Sequence, residues 1–131
     1  MKCLIAEDDK VARKLLESHL SGFGDCSLAI DGSEALEAFT KGLDENQPYD
    51  LICLDIMMPK MDGREALKVI RDIEQKRDIP ESDCVKVIMT TALNDFNHIA
   101  NAFRIGCESY LVKPIRKDEL LEEMVSLGLL N

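Results

Sequence analysis

Five times along this chain a short apolar run is followed by a helix-length stretch with amphipathic spacing, and that alternation leaves few possible architectures. The runs at 2–6, 26–30, 50–54, 86–90 and 109–112 read as strands, and 10–21, 33–41, 64–75, 95–105 and 117–126 as helices. Strands that are apolar on both faces and separated by helices pair in parallel, because each parallel connection needs a crossover long enough to hold a helix. The expected architecture is a single α/β domain over residues 1–131, a doubly wound five-stranded parallel sheet. In the fourth helix Phe96, Ile99, Ala100 and Phe103 fall at i, i+3, i+4 and i+7, a stripe expected to face the core. The connections 42–49 and 76–85 are longer than needed. Both lead from a helix into a strand, so they are expected as surface insertions at the edge opposite the ligand-binding end of such a sheet.

At 131 residues one domain buries roughly two thirds of the surface of its unfolded chain, enough for a core. Twenty-five acidic against 16 basic residues give a net charge of -9, which repels phosphate backbones and anionic membranes, so direct DNA binding is not expected. No run approaches the roughly 20 apolar residues of a membrane span, and a cytoplasmic location is expected. The five cysteines are odd in number and contain no C-x-x-C pair; they read as reduced thiols, neither a disulfide framework nor a zinc site.

The residues that can do chemistry collect where strands end. Glu7, Asp8 and Asp9 follow the first strand and Asp55 the third; Thr90 and Thr91 close the fourth; Lys113 and Pro114 follow the fifth. A doubly wound sheet brings these ends into one crevice. Two unit charges about 4 Å apart at an effective dielectric near 20 repel by roughly 4 kcal/mol, so such an acid cluster requires cations. Lys113 is one, and a hard divalent ion such as Mg²⁺, which favours a few carboxylates plus a phosphate oxygen, suits the rest. Carboxylates, ammonium, hydroxyl and metal together can hold a phosphoryl group, with Asp55 as the nucleophile. An acid immediately before a helix is also what an N-cap looks like, and Asp9 before Lys10 satisfies both descriptions.

With EDD at 7–9, LDIMMPKMDG at 54–63, TTA at 90–92 and AFRIGCESYLVKPI at 102–115, in that order and over essentially the whole chain, the sequence resembles the receiver domains of two-component response regulators, particularly free-standing ones of the CheY type. The resemblance implies a flavodoxin-like strand order 2-1-3-4-5. It implies that Asp55 accepts a phosphoryl group from a sensor histidine kinase or phosphotransfer protein. It makes Asp9 a direct Mg²⁺ ligand and Asp8 a ligand through water, beside Asp55 and the carbonyl of Met57. Lys113 becomes the lysine that contacts the phosphoryl group, with a cis bond before Pro114. Thr91 and Tyr110 become the switch pair, changing the affinity of the face formed by the fourth helix, fifth strand and fifth helix for a downstream target.

In this family the positions occupied by Met57 and Leu93 often carry polar groups that place the attacking water, so slow autodephosphorylation is expected. The fifth helix lacks the basic residues used for dimer salt bridges in winged-helix regulators, so a monomer is expected, with dimerisation on phosphorylation left open. The expected role is a phospho-switch that turns over no substrate other than its own phosphoryl group. A relay that passes the group to a histidine phosphotransfer protein, or a phosphorylation-independent binding module, remains an alternative. A haloacid dehalogenase-type phosphatase would need a second Asp where Met57 stands. A flavodoxin-like cofactor binder would need a Ser/Thr/Gly-rich loop where Glu-Asp-Asp stands. Neither a G-x-G-x-x-G nor a G-x-x-x-x-G-K-[ST] string occurs.

Overall fold

A computed structural model describes all 131 residues. Strands β1 (Lys2–Ala6), β2 (Asp25–Ala29), β3 (Leu51–Leu54), β4 (Lys86–Thr91) and β5 (Ser109–Val112) alternate with helices α1 (Lys10–Leu20), α2 (Gly32–Asp44), α3 (Gly63–Lys76), α4 (Phe96–Ile105) and α5 (Lys117–Ser126). All four strand pairings are parallel, in the order β2-β1-β3-β4-β5. The expected doubly wound sheet is therefore present, and the expected bounds of the first and fifth strands agree to the residue.

The central strands β1, β3 and β4 are apolar on both faces because each face has its own cover. Leu4, Ala6, Ile52, Leu54, Val87 and Met89 face a core shared with Phe39 of α2, Ala66, Leu67 and Ile70 of α3, and Ala102 of α4. Cys3, Ile5, Leu51, Cys53, Ile88 and Leu111 face the other way, onto Leu16 and Leu20 of α1 and Leu120 and Met124 of α5. The alternation i, i+2 along each strand sorts the side chains between the two layers. All five cysteines are free thiols, and Cys3, Cys53 and Cys107 are buried among apolar side chains.

Asp9, Asp31, Asp62 and Asp95 cap α1 to α4 with their carboxylates, which supplies acceptors to otherwise unpaired N–H groups and complements the positive end of each helix dipole. Arg71 of α3 braces the far side of the fold. Its guanidinium bonds Glu74 at 2.7 Å, Glu108 at 2.9 Å and the carbonyls of Val85 and Gly106, tying α3 to the start of β4 and to the turn before β5.

Two expectations are corrected here. The α4 stripe does not face the core: Phe96 is 81% exposed and Phe103 46%, while Ala102 is fully buried and Ile105 packs beside it. Helical periodicity marks an apolar face without saying which side the sheet covers, and α4 lies toward the β5 edge, where cover is narrow. The long connection after α2 is also shorter than expected, since the helix runs on to Asp44. The one before β4 holds a short 3₁₀ turn at Glu81–Asp83.

Candidate functional site

At the C-terminal edge of the sheet the backbone ladder continues one residue past three strands, and those three residues carry the site. Glu7 N–H donates to Ala29 O at 3.0 Å, Asp55 N–H to Ala6 O at 3.0 Å, and Lys113 N–H to Thr91 O at 2.8 Å. Each side chain is thereby held rigidly at its strand end. Glu7 is fully buried and Asp55 nearly so.

Lys113 Nζ lies 3.0 Å from Asp55 Oδ2 and also forms an ion pair with Glu7 Oε1. Glu7 Oε2 accepts from the Asp9 backbone N–H at 3.1 Å, and Asp55 Oδ1 accepts from Met57 N–H at 3.3 Å. Burial pushes the Glu7 carboxyl up to about 7 despite its bonds to Lys113 and Asp9. Burial also works against the Lys113 charge. The hydrogen bonds to Glu7 and Asp55 outweigh it, and the ammonium is held above the usual lysine range.

Carboxylate oxygens of Glu7, Asp8 and Asp55 come within 4.8 Å of one another. Ligands of an octahedral Mg²⁺ at about 2.1 Å stand roughly 3–4 Å apart, and this all-oxygen donor set with one ammonium beside it fits that ion. Asp9, expected in the set, stands outside this cluster. Its carboxylate turns back to accept from Val11 N–H and caps α1. Glu7, noted only as part of the acid run, lies in this cluster because it is the residue that follows the strand directly. Met57 has a solvent-exposed side chain and sits two residues beyond Asp55 on the loop rimming the cluster.

Thr91 is buried, with Oγ1 accepting from Leu93 N–H at 3.4 Å; Thr90 is buried with no partner for its hydroxyl. Tyr110 O–H donates to Leu93 O at 2.6 Å, so Thr91 and Tyr110 both bond to the backbone of Leu93. Burial raises the Tyr110 pKa, so this phenol stays a donor. The Lys113–Pro114 bond is cis.

Two residues of the site were given no site role from the sequence. Arg13 of α1 donates to the carbonyls of Glu7 at 2.9 Å and Asp8 at 3.3 Å, fastening the acid loop to its helix. Gly63 opens α3 against the backbone of Asp55: a Cβ there would run into the Asp55 carbonyl. Glycine after an Asp-capped turn is a visible sequence signal for such a close approach.

Residues 3–125 match the family described as "Response regulator receiver domain". Among curated proteins, a probable transcriptional regulator ycf27 of Guillardia theta is 38% identical over 91% of this chain and 42% of its own length. The regulator of RpoS of Escherichia coli K12 is 37% identical over 93% of this chain and 33% of its own. The chain spans less than half the length of these relatives. Among solved structures, a chain of the CheX–CheY–BeF3–Mg²⁺ complex of Borrelia burgdorferi superposes with a TM-score of 0.84 at 27% identity, covering 98% of this chain and 89% of that one. The receiver domain of a Francisella response regulator superposes at 0.74 with 33% identity, covering 96% and 94%.

Proposed function

Because the chain belongs to the response regulator receiver domain family of two-component signalling, we propose that it is a phospho-switch in which Asp55 is the phosphoacceptor. The observation that carries this is the buried Asp55 carboxylate held 3.0 Å from Lys113, beside Glu7 and Asp8. A carboxylate nearly desolvated and faced by a cation is a nucleophile already in place.

In the proposed reaction an Asp55 carboxylate oxygen forms the new P–O bond while the P–N bond of a phosphohistidine breaks and the freed imidazole nitrogen takes up a proton. Lys113 neutralises charge on the phosphoryl oxygens, and the buried Thr91 hydroxyl supplies a further donor at the mouth of the site. Glu7, Asp8, Asp55 and the Met57 carbonyl are the residues to hold Mg²⁺, with Glu7 replacing Asp9 in the expected set. When bound, that ion would offset the carboxylate charge and help neutralise the charge on the phosphoryl oxygens.

The output we place on the face of α4, β5 and α5, where Phe96 and Phe103 are exposed and Tyr110 bonds Leu93 of the loop leading to α4. The downstream partner, the stand-alone role and a cytoplasmic setting belong to the same proposal; no helix is long and apolar enough to cross a membrane. With Met57 and Leu93 two residues after Asp55 and Thr91, no polar side chain stands there to place a water, and a long-lived phosphoryl group follows. A half-life of seconds without a phosphatase would contradict that.

Intact-mass analysis after incubation with acetyl phosphate and Mg²⁺ tests the switch. One phosphoryl adduct is expected, absent in Asp55→Asn and in the presence of a chelator. An adduct that survives Asp55→Asn would place the acceptor elsewhere.

A further inference from the structure

The loop between Asp55 and α3 is fastened at a point outside the acid cluster, at the start of α2. Asp31 is only 2% exposed, yet capping uses one of its oxygens: Oδ1 accepts from Glu34 N–H at 2.8 Å. The other, Oδ2, faces Lys60 Nζ at 3.8 Å, and Lys60 belongs to the loop after Asp55. The next residue, Gly32, donates its N–H to Met61 O at 3.2 Å, and a Cβ at Gly32 would collide with that carbonyl. Lys60 itself holds a left-handed backbone (φ 66°), rare for a side chain of its kind, between these two anchors.

The loop is thus a strap. It leaves the cluster at Met57, whose N–H bonds Asp55, reaches the α2 start at Lys60 and Met61, and returns to Ile56 through the Gly63 N–H at 2.9 Å. Lys60 is about three-quarters exposed, and pairs with such an exposed member contribute little to stability. What the pair fixes is where Lys60 of the strap stands against the start of α2.

We infer that Asp31, Gly32 and Lys60 are positioning residues for the phosphoacceptor loop, holding the strap so that Met57 is presented to the metal cluster. This rests on the Mg²⁺ reading above and concerns residues outside the ligand set. The residues act through the loop and touch neither metal nor phosphoryl group.

The test uses the full chain as Asp31→Asn, Lys60→Met, Gly32→Ala and the Asp31→Asn/Lys60→Met double variant, with thermal unfolding to verify folding. Asn retains the capping oxygen, so Asp31→Asn removes only the charge facing Lys60. Calorimetric titration with Mg²⁺ alone is expected to give affinities about tenfold weaker in each single variant, with the double variant no weaker than either of its parents. The Mg²⁺ concentration giving half-maximal labelling by acetyl phosphate should rise in parallel, while the labelling rate at saturating Mg²⁺ stays unchanged. A merely structural role would lower the unfolding midpoint and leave this split unmoved.

Amide exchange gives a readout free of metal: the Gly32 amide should exchange faster in Asp31→Asn and Lys60→Met while amides of β4 do not change. Wild-type Mg²⁺ affinity in folded variants, additive losses in the double variant, or unchanged Gly32 exchange would each overturn the inference. Failure of the wild type to be labelled would instead count against Asp55 as acceptor, and the exchange comparison would still decide on the strap. If Gly32→Ala does not fold, the two charge variants carry the test.

Discussion

Lys113 Nζ stands 3.0 Å from Asp55 Oδ2 and at the same time pairs with Glu7, so one ammonium serves two buried carboxylates. The pair shares its site with the oxygens expected to hold a divalent cation. Replacing Lys113 by Met removes a positive charge from that site, and Mg²⁺ affinity is expected to rise even as labelling by acetyl phosphate falls. Calorimetry and labelling on the same variant separate the two effects; weaker Mg²⁺ binding would show that the lysine helps build the metal site instead of competing with it.

Glu7 makes the metal-free fold sensitive to pH. Its folded carboxyl titrates at about 7 against an ordinary value of 4.5, so between these values the folded chain keeps a proton that the unfolded chain has lost. Stability is therefore highest below about pH 4.5 as far as this group is concerned, and falls as pH rises through about 7, by on the order of 3 kcal/mol. Denaturant titrations in a chelator at pH 5 and pH 8 measure it. Glu7→Gln should flatten the profile over this window and weaken Mg²⁺ binding; an equally steep profile in Glu7→Gln would assign the effect to another group.

Gly63 is a helix residue whose replacement by Ala would ordinarily stabilise by up to about 1 kcal/mol. Here a Cβ meets the Asp55 carbonyl, which cannot move without disturbing the ladder bond from Asp55 to Ala6. Gly63→Ala is expected to destabilise by about 1–3 kcal/mol, as overpacking does, and to slow labelling. A stabilised Gly63→Ala would show that the loop has room.

Phe96 and Ala102 lie on the same helix with opposite surroundings. Phe96→Ser should change stability by no more than about 0.5 kcal/mol, as exposed substitutions do, whereas Ala102→Leu should cost about 1–3 kcal/mol by overpacking the layer under α4. Chemical unfolding of the two variants checks both numbers, and a large loss in Phe96→Ser would restore the stripe to the core.

Much of this arrangement could be read from the residues before any coordinates. Strands buried on both faces announce themselves as unbroken apolar runs such as Leu51 to Leu54, and the acids, hydroxyls and lysine could be seen to share strand ends. What could not be read was register and facing. In a run of three acids, Glu7 stays in the ladder and points into the site while Asp9, two residues on, has turned into the helix cap; a single residue of phase decides which is which. On α4 the phase of the stripe was visible, but whether the sheet lies beneath Phe96 or beneath Ala102 depends on the narrowness of the β5 edge. The Asp31 to Lys60 pair joins residues 29 positions apart in different loops, and nothing local marks it.

The most direct measurement of the central claim is to trap the acceptor. Protein labelled with acetyl phosphate and Mg²⁺ is treated with borohydride, which reduces an aspartyl phosphate to homoserine, and peptides are then mapped. Homoserine at position 55 alone, absent without Mg²⁺, is the predicted result; reduction at Asp8, Asp9 or Asp62 with Asp55 intact would contradict the account.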